Sequence, residues 1–374
     1  MQRKPDTSPP DPTTRVVADF HITRTQLLRA DGTLVDESAA LPDANALTPL
    51  LETMLRTRAL DSRAVNLQRT GQLGTYGANL GQEGIGVGVA SAMRDDDVLF
   101  PTYREISAQL WRGVQMHEIL LYWGGDERGS DFEQAREDFP LAVPIASQTL
   151  HAVGAAYAFK LRQQPRCAVV FLGDGASSKG DFYEALNAAG TWRLPILFVV
   201  VNNGWAISVP RDQQSACQTL AQKAIAGGFS GEQVDGNDAL ALRAASQRAL
   251  AAMRDGAGPQ LIEALTYRMG DHTTSDDARR YRSAAAVERH RAEDPIERLR
   301  TYLTGCGAWS AQAEAGAAAA IEAEVEAAVE RYLATPADAP TAMFDQLYAQ
   351  LPQALAAQRA EVERYARQGG AGDE

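Results

Sequence analysis

The 374-residue sequence predicts an α/β fold organised as a doubly wound parallel sheet, and three observations carry that reading. Two apolar runs, CAVVFLG at 167–173 and PILFVVV at 195–201, show no polar alternation, the pattern of strands covered by helices on both faces. Helical patterns alternate with these runs, as in successive strand–helix–strand units. Both runs end in short polar signatures, GDG at 173–175 and NN at 202–203, where open parallel sheets bind ligands.

The elements follow in chain order. Residues 1–15 are too rich in Pro, Asp and Thr to bury a core, so they read as a disordered leader, with a docking tail as the alternative and an N-terminal extension over 16–46. From Thr48 to Arg69 apolar residues recur at helical spacing and stop at Gly71, which predicts a helix followed by a glycine-rich loop. GANLGQEGIGVGVASAM at 77–93 carries glycines at 77, 81, 84, 86 and 88, yet the G-x-G-x-x-G order is absent and no strand precedes it. A tightly packed helix is expected there, rather than a dinucleotide loop.

Further on, LHAVGAAYAFKLR reads as a helix, CAVVFLG as a strand, GDFYEALNAAGTW as a helix and PILFVVV as a strand before a long loop. GEQVDG is a short strand, ALALRAASQRALAAMRDG a helix ended by glycine, and PQLIEALTYR a strand. The α/β domain is thus expected over 47–310, with a helical extension over 311–374. Two helices are expected in that extension, AQAEAGAAAAIEAEVEAAVERYLA and, past a Pro-rich break, MFDQLYAQLPQALAAQRAEVERYARQ. On the second, Phe344, Leu347, Tyr348 and Leu351 form an apolar stripe that needs a partner, within the chain or on another subunit.

Composition narrows the function. A hydrophobic content of 45% with 22% charged residues suits a globular protein with a sizeable core. The net charge of −12 and the lack of any basic run argue against nucleic acid as a partner. No apolar stretch reaches the roughly 18 residues of a membrane span, and the start lacks a signal-peptide core, so no membrane association and a cytoplasmic location are expected. Cys167, Cys217 and Cys306 stand apart, without zinc or dithiol spacing, and receive no chemistry.

The chemistry concentrates at the two strand ends. Asp174 and Asn203 are 203 − 174 = 29 residues apart, the length of one crossover helix and a strand, so a right-handed unit brings both side chains to one rim of the sheet. One charged and one neutral oxygen, joined by a backbone carbonyl from the following loop, suit a hard cation such as Mg²⁺ that shares phosphate oxygens. Gly173 and Gly175 let the backbone turn sharply, and the amides of Gly175 and Ala176 make an anion nest. Alone, GDG is equally a strand-to-helix turn capped by its Asp; paired with NN at this interval, it points to a metal-bound diphosphate.

This pairing resembles the thiamine-diphosphate and Mg²⁺ motif, and ASSKGDFYEALNAAGTWRLPILFVVVNNGWAISVP is similar to the α chain of the first component of 2-oxo acid dehydrogenase complexes. The resemblance runs from about Leu47 to the C-terminal helix, through GQEG at 81–84, PTYREISAQLWRG at 101–113, YWGGDERG at 122–129, EQVDGND at 232–238, LIEALTYRMGDHTTSDD at 261–277 and DPIERLRTYL at 294–303. It implies a thiamine-diphosphate-binding fold in which Asp174, Asn203 and the carbonyl of Trp205 hold Mg²⁺. Gly173, Gly175, Ala176, Tyr103 and Arg104 would bind the diphosphate. Val143 and Ile145 would line the aminopyrimidine, and His272, on a flexible loop, would reach the diphosphate and assist catalysis.

The implied reaction is oxidative decarboxylation of pyruvate with transfer of the acetyl group to a lipoyl domain of a dihydrolipoyl acyltransferase core. A β subunit would complete the site with a glutamate, giving two α and two β chains. Branched-chain 2-oxo acid dehydrogenase and acetoin dehydrogenase α chains share these motifs, and a noncatalytic complex-stabilising subunit is the reading from another class. A nicotinamide oxidoreductase lacks its glycine fingerprint here. Three departures from relatives stand out: Val201 before the two Asn, Asp271 in place of a first histidine, and a short segment between Trp123 and Leu141. Thr273 occupies the place of a regulatory phosphoserine, and no such regulation is expected.

Overall fold

Six parallel strands make one sheet in the computed structural model, which describes residues 13, 15–345 and 347–369. They are β1 (Arg24–Thr25), β2 (Val98–Phe100), β3 (Ala168–Gly173), β4 (Ile196–Asn202), β7 (Gly231–Asp235) and β8 (Gln260–Leu265), and β5 (Trp205–Ala206) pairs antiparallel with β6 (Val209–Pro210) beyond β4. The order across the sheet is β1-β7-β8-β4-β3-β2, which puts β3 and β4 side by side in its interior. The leader expected over 1–15 lies outside the described residues except at 13 and 15.

Side chains alternate along β3 between two cores, which is why its sequence shows no polar alternation. Ala168, Val170 and Leu172 join one cluster with Phe159, Phe182 and Leu186, while Val169 and Phe171 join another with Val89, Leu242 and Leu250. Each buried Val, Leu or Phe among them contributes about 1.5–3 kcal/mol, so both faces hold the strand in register. The first face is covered by α5 (Ser147–Leu161) and α6 (Gly180–Thr191). The second is covered by α2 (Glu83–Ala90) and the helix Ala239–Arg254.

α1 (Thr48–Arg69) carries Pro49 in its first turn and is followed by Gly71 at φ 76°, a backbone state that glycine adopts freely. α2 is buried along its whole length. A Cβ at Gly86 would stand 2.2 Å from Ser107 Oγ on α3 (Ile106–Trp111), and one at Gly88 would stand 2.7 Å from Leu242 Cβ. The glycines therefore serve close helix packing, as expected from their order. α4 (Met116–Trp123) and α1 receive the helix Ala311–Ala334 through Ile321, Val325 and Val329.

The N-terminal extension is tied to the sheet edge by the buried Asp238, whose Oδ2 accepts from the amides of Leu27 and Leu28, both at 2.6 Å. The far tail differs from the single second helix expected. A short helix, Ala342–Asp345, is followed only at Gln353 by another, Gln353–Gly369, and Pro352, which lacks an amide hydrogen and disfavours helix at Leu351, marks the start of the second. Phe344 packs inward, whereas Leu347 and Tyr348 are exposed, so the expected stripe is not continuous. No helix among the described residues is long and apolar enough to cross a membrane.

Candidate active site

Parallel pairing of β3 with β4 sets Gly173 opposite Val201, so Asp174 and Asn203 are the first residues beyond two adjacent strands. Both are buried, and both line a cavity of about 260 Å³ at the carboxyl end of the sheet. Asp174 opens a short 3-10 turn over Gly175–Ser178, and its Oδ1 accepts from the Gly175 amide at 2.9 Å. That amide, expected to face a diphosphate, thus serves the turn. Oδ2 of the same carboxylate is buried without a hydrogen-bond partner. Burial pushes the carboxyl pKa up to about 6, against the opposing pull of the Gly175 amide and Arg268.

The rim after β4 supplies further oxygens. Asn203 Oδ1 accepts from the Trp205 amide at 3.2 Å, and its Nδ2 donates to Gln82 Oε1 at 3.1 Å. The Trp205 carbonyl receives only a 3.5 Å contact from Arg268 Nη1. A Cβ on Gly175 would come within 2.8 Å of Ala206 Cβ, so glycine lets the β3 turn approach the β5–β6 hairpin. Beside it, Ile207 lines the cavity at φ 56°, a strained state for a β-branched residue.

Two guanidiniums enter the same cavity. Arg104 donates through Nη2 to the His272 carbonyl at 2.7 Å and through Nη1 to the Ala78 carbonyl. Arg268, three residues past β8 and 1% exposed, donates to the Ile207 carbonyl at 2.8 Å and to Tyr281 Oη at 2.7 Å. His272 Nδ1 faces Arg104 at 3.5 Å and Arg268 at 3.3 Å. Guanidinium nitrogens only donate, so Nδ1 accepts and the neutral ring keeps its proton on Nε2. Burial, then Arg104 and Arg268, push the His272 pKa down to about 4. The Tyr103 ring stands edge-on to it, 6.0 Å between centroids.

Every site residue expected from the sequence lines this cavity except Val143, which stands outside it and is nearly half exposed. Arg268 and Gln82 are polar lining residues that had no expected role. Gln82 sits inside the GQEG segment, and its buried Nε2 has no partner. Arg268 gives a weaker signal, the last residue of PQLIEALTYR, which reads as a strand to its end but leaves the strand at Leu265. Elsewhere among the described residues, His117, Glu118 and Glu133 are grouped closely enough to suggest a metal. They are already committed: Glu118 accepts from the amides of Gln115 and Glu133, both at 2.7 Å, and Glu133 pairs with Arg331.

A buried unpaired carboxylate oxygen beside two cationic side chains asks for a cation and an anion together. Cofactors built as a metal-bound diphosphate meet both demands, and the donor set fits such a group. Comparison with known proteins shows the family. Residues 51–341 match the family model described as dehydrogenase E1 component. The 3-methyl-2-oxobutanoate dehydrogenase subunit alpha of Mycobacterium tuberculosis is 43% identical over 347 residues, spanning 90% of this chain and 92% of that protein. The pyruvate dehydrogenase E1 component subunit alpha of Staphylococcus aureus is 38% identical over 336 residues, spanning 89% and 90%. The chain therefore belongs to the dehydrogenase E1 component family, as an α subunit of a 2-oxo acid dehydrogenase.

Proposed function

We propose that this chain forms the α half of a thiamine-diphosphate- and Mg²⁺-dependent site that oxidatively decarboxylates a 2-oxo acid and passes the acyl group to a lipoyl domain. The observation that carries the reading is Asp174 Oδ2, buried and unpartnered in a cavity that also holds Arg104 and Arg268. Asp174 Oδ2, Asn203 Oδ1 and the Trp205 carbonyl would hold Mg²⁺, whose preference is for oxygen donors. Arg104 and Arg268, with Tyr103 and the Ala176 amide, would hold the diphosphate, and a guanidinium fork matches phosphate oxygens two at a time. Gly173, beside which a Cβ would meet nothing within 4 Å, leaves the strand end open to the ligand.

Thiamine diphosphate supplies, when bound, the electron sink that lets a 2-oxo acid lose carbon dioxide. His272 keeps a donatable proton on Nε2 while both arginines face its other nitrogen. Ile145 is nearly half exposed, which leaves apolar surface at the cavity for a second chain to cover. A β subunit, in an assembly of two α and two β chains, fits that need and would bring the glutamate that the family resemblance assigns to it. A noncatalytic role is disfavoured because the ligand-binding set is intact.

Among substrates, the 43% identity to a 3-methyl-2-oxobutanoate dehydrogenase supports a branched-chain 2-oxo acid. Pyruvate, expected first from the sequence, is the second reading, supported by the 38% identity to a pyruvate enzyme. A pocket separates such acids by only ~1–3 kcal/mol per methylene, so a direct comparison is required. Decarboxylation by the chain reconstituted with its β subunit, followed with an artificial electron acceptor, tests this. Faster turnover of 3-methyl-2-oxobutanoate than of pyruvate supports the first reading, the reverse supports the second, and turnover of neither overturns the proposed reaction.

A further inference from the structure

The segment that carries His272 is anchored from a distance. The Thr274 amide donates to the Tyr76 carbonyl at 2.9 Å, and the Tyr76 amide donates to Thr274 Oγ1 at 3.0 Å, a reciprocal pair between two loops 198 residues apart. Alongside, Thr75 Oγ1 and Ser275 Oγ are 2.9 Å apart. Arg104 spans the same two segments through the carbonyls of Ala78 and His272.

Tyr76 is in turn fixed from below. It is fully buried, its ring stands edge-on to Trp123 at 5.2 Å, and its hydroxyl donates to Asp61 Oδ1 at 2.5 Å. Asp61 lies on α1, and its Oδ2 accepts from the Asn79 amide at 2.6 Å. Asn79 Oδ1 then accepts from the Ile106 amide at 3.3 Å, at the start of α3. A buried carboxylate is unfavourable unless its oxygens are bonded, and a fully bonded one fixes the geometry of its donors.

Contacts within the loop do a different job. The His272 amide donates to Asp276 Oδ2 at 2.9 Å, and Tyr281 donates to the same oxygen. These keep the loop's shape without tying it to the sheet or to α1.

We propose that Asp61, Tyr76 and Thr274 form a clasp that fastens residues 272–275 to α1 and thereby positions His272 and Arg104 at the cavity. The proposal rests on the diphosphate reading above for what the positioned groups bind. Asp61, Tyr76 and Thr274 do not line the cavity, so all three are positioning residues.

Limited trypsin digestion of the full chain tests it, read at Arg279 and Arg280, which are exposed just past the loop. Thr274→Val removes the Oγ1 acceptor and is expected to speed cleavage there roughly three- to tenfold, the effect of one lost hydrogen bond, with cleavage elsewhere unchanged. Thr274→Ser keeps the hydroxyl and is expected to restore the wild-type rate. Tyr76→Phe should act in the same direction, and Thr274→Val stands alone if that variant does not fold. Wild-type cleavage of Thr274→Val would overturn the clasp. In the assembly with the β subunit, thiamine diphosphate with Mg²⁺ should slow cleavage of the wild type, and should bind Thr274→Val more weakly with kcat at saturation less affected. A faster-cut Thr274→Val with no ligand protection of the wild-type assembly would keep the clasp and sink the diphosphate reading.

Discussion

The two oxygens of Asp174 divide their work between fold and site: Oδ1 closes a turn through the Gly175 amide, and Oδ2 has no partner in the chain. This division explains why GDG alone reads equally as a capped turn and as a ligand site. Both readings describe the same residue. His272 shows the converse effect, with burial, then Arg104 and Arg268, lowering its pKa to about 4. Between pH 6.5 and 4 the unfolded chain binds a proton at this position that the folded chain refuses, so stability falls as pH drops through that window. His272→Asn is expected to flatten this acid-side loss, measured as Tm against pH. Parallel curves for variant and wild type would contradict the assignment of the pKa. Asp174, Asn203 and His272 were legible because strand ends and a polar loop advertise them. Arg268 was barely legible, because the end of an expected strand does not by itself mark an arginine as buried. Only the packed fold brings it to the carbonyl of Ile207 and the hydroxyl of Tyr281.

Elements were legible in proportion to their length and periodicity. The long strands β3, β4 and β8 and the helices Thr48–Arg69 and Ala311–Ala334 follow from apolar runs and helical spacing. β1 and β2, of two and three residues, carry too few side chains to show a period, and register with a neighbouring strand defines them. α2 is the instructive middle case, since its glycines mislead toward a phosphate loop yet mark contact between helices. Gly86→Ala would drive a Cβ against Ser107 Oγ and to 2.8 Å from the Ala108 amide nitrogen. The expected destabilisation is about 1–3 kcal/mol, as for other overpacked cores, read from the urea midpoint. An unchanged midpoint would mean that α2 and α3 separate freely.

At the scale of the molecule, the sheet brings residues from six stretches of chain to one cavity: the segment around Gln82, the Tyr103–Arg104 pair, the segment around Ile145, the Asp174 turn, the Asn203–Trp205 rim and the loop from Arg268 to His272. The topology makes this possible, because β3, β4 and β8 are adjacent and all end on the same side. The proposed function places the chain's work at this rim, where the donor set lines one cavity. The central claim is that Asp174 anchors a metal-bound diphosphate. Calorimetric titration of thiamine diphosphate with Mg²⁺ into the assembled α and β chains, wild type against Asp174→Ala, tests it most directly. The account expects tight Mg²⁺-dependent binding to the wild type and its loss in the variant, with the circular dichroism spectrum retained. Equal affinity in the two assemblies would contradict it.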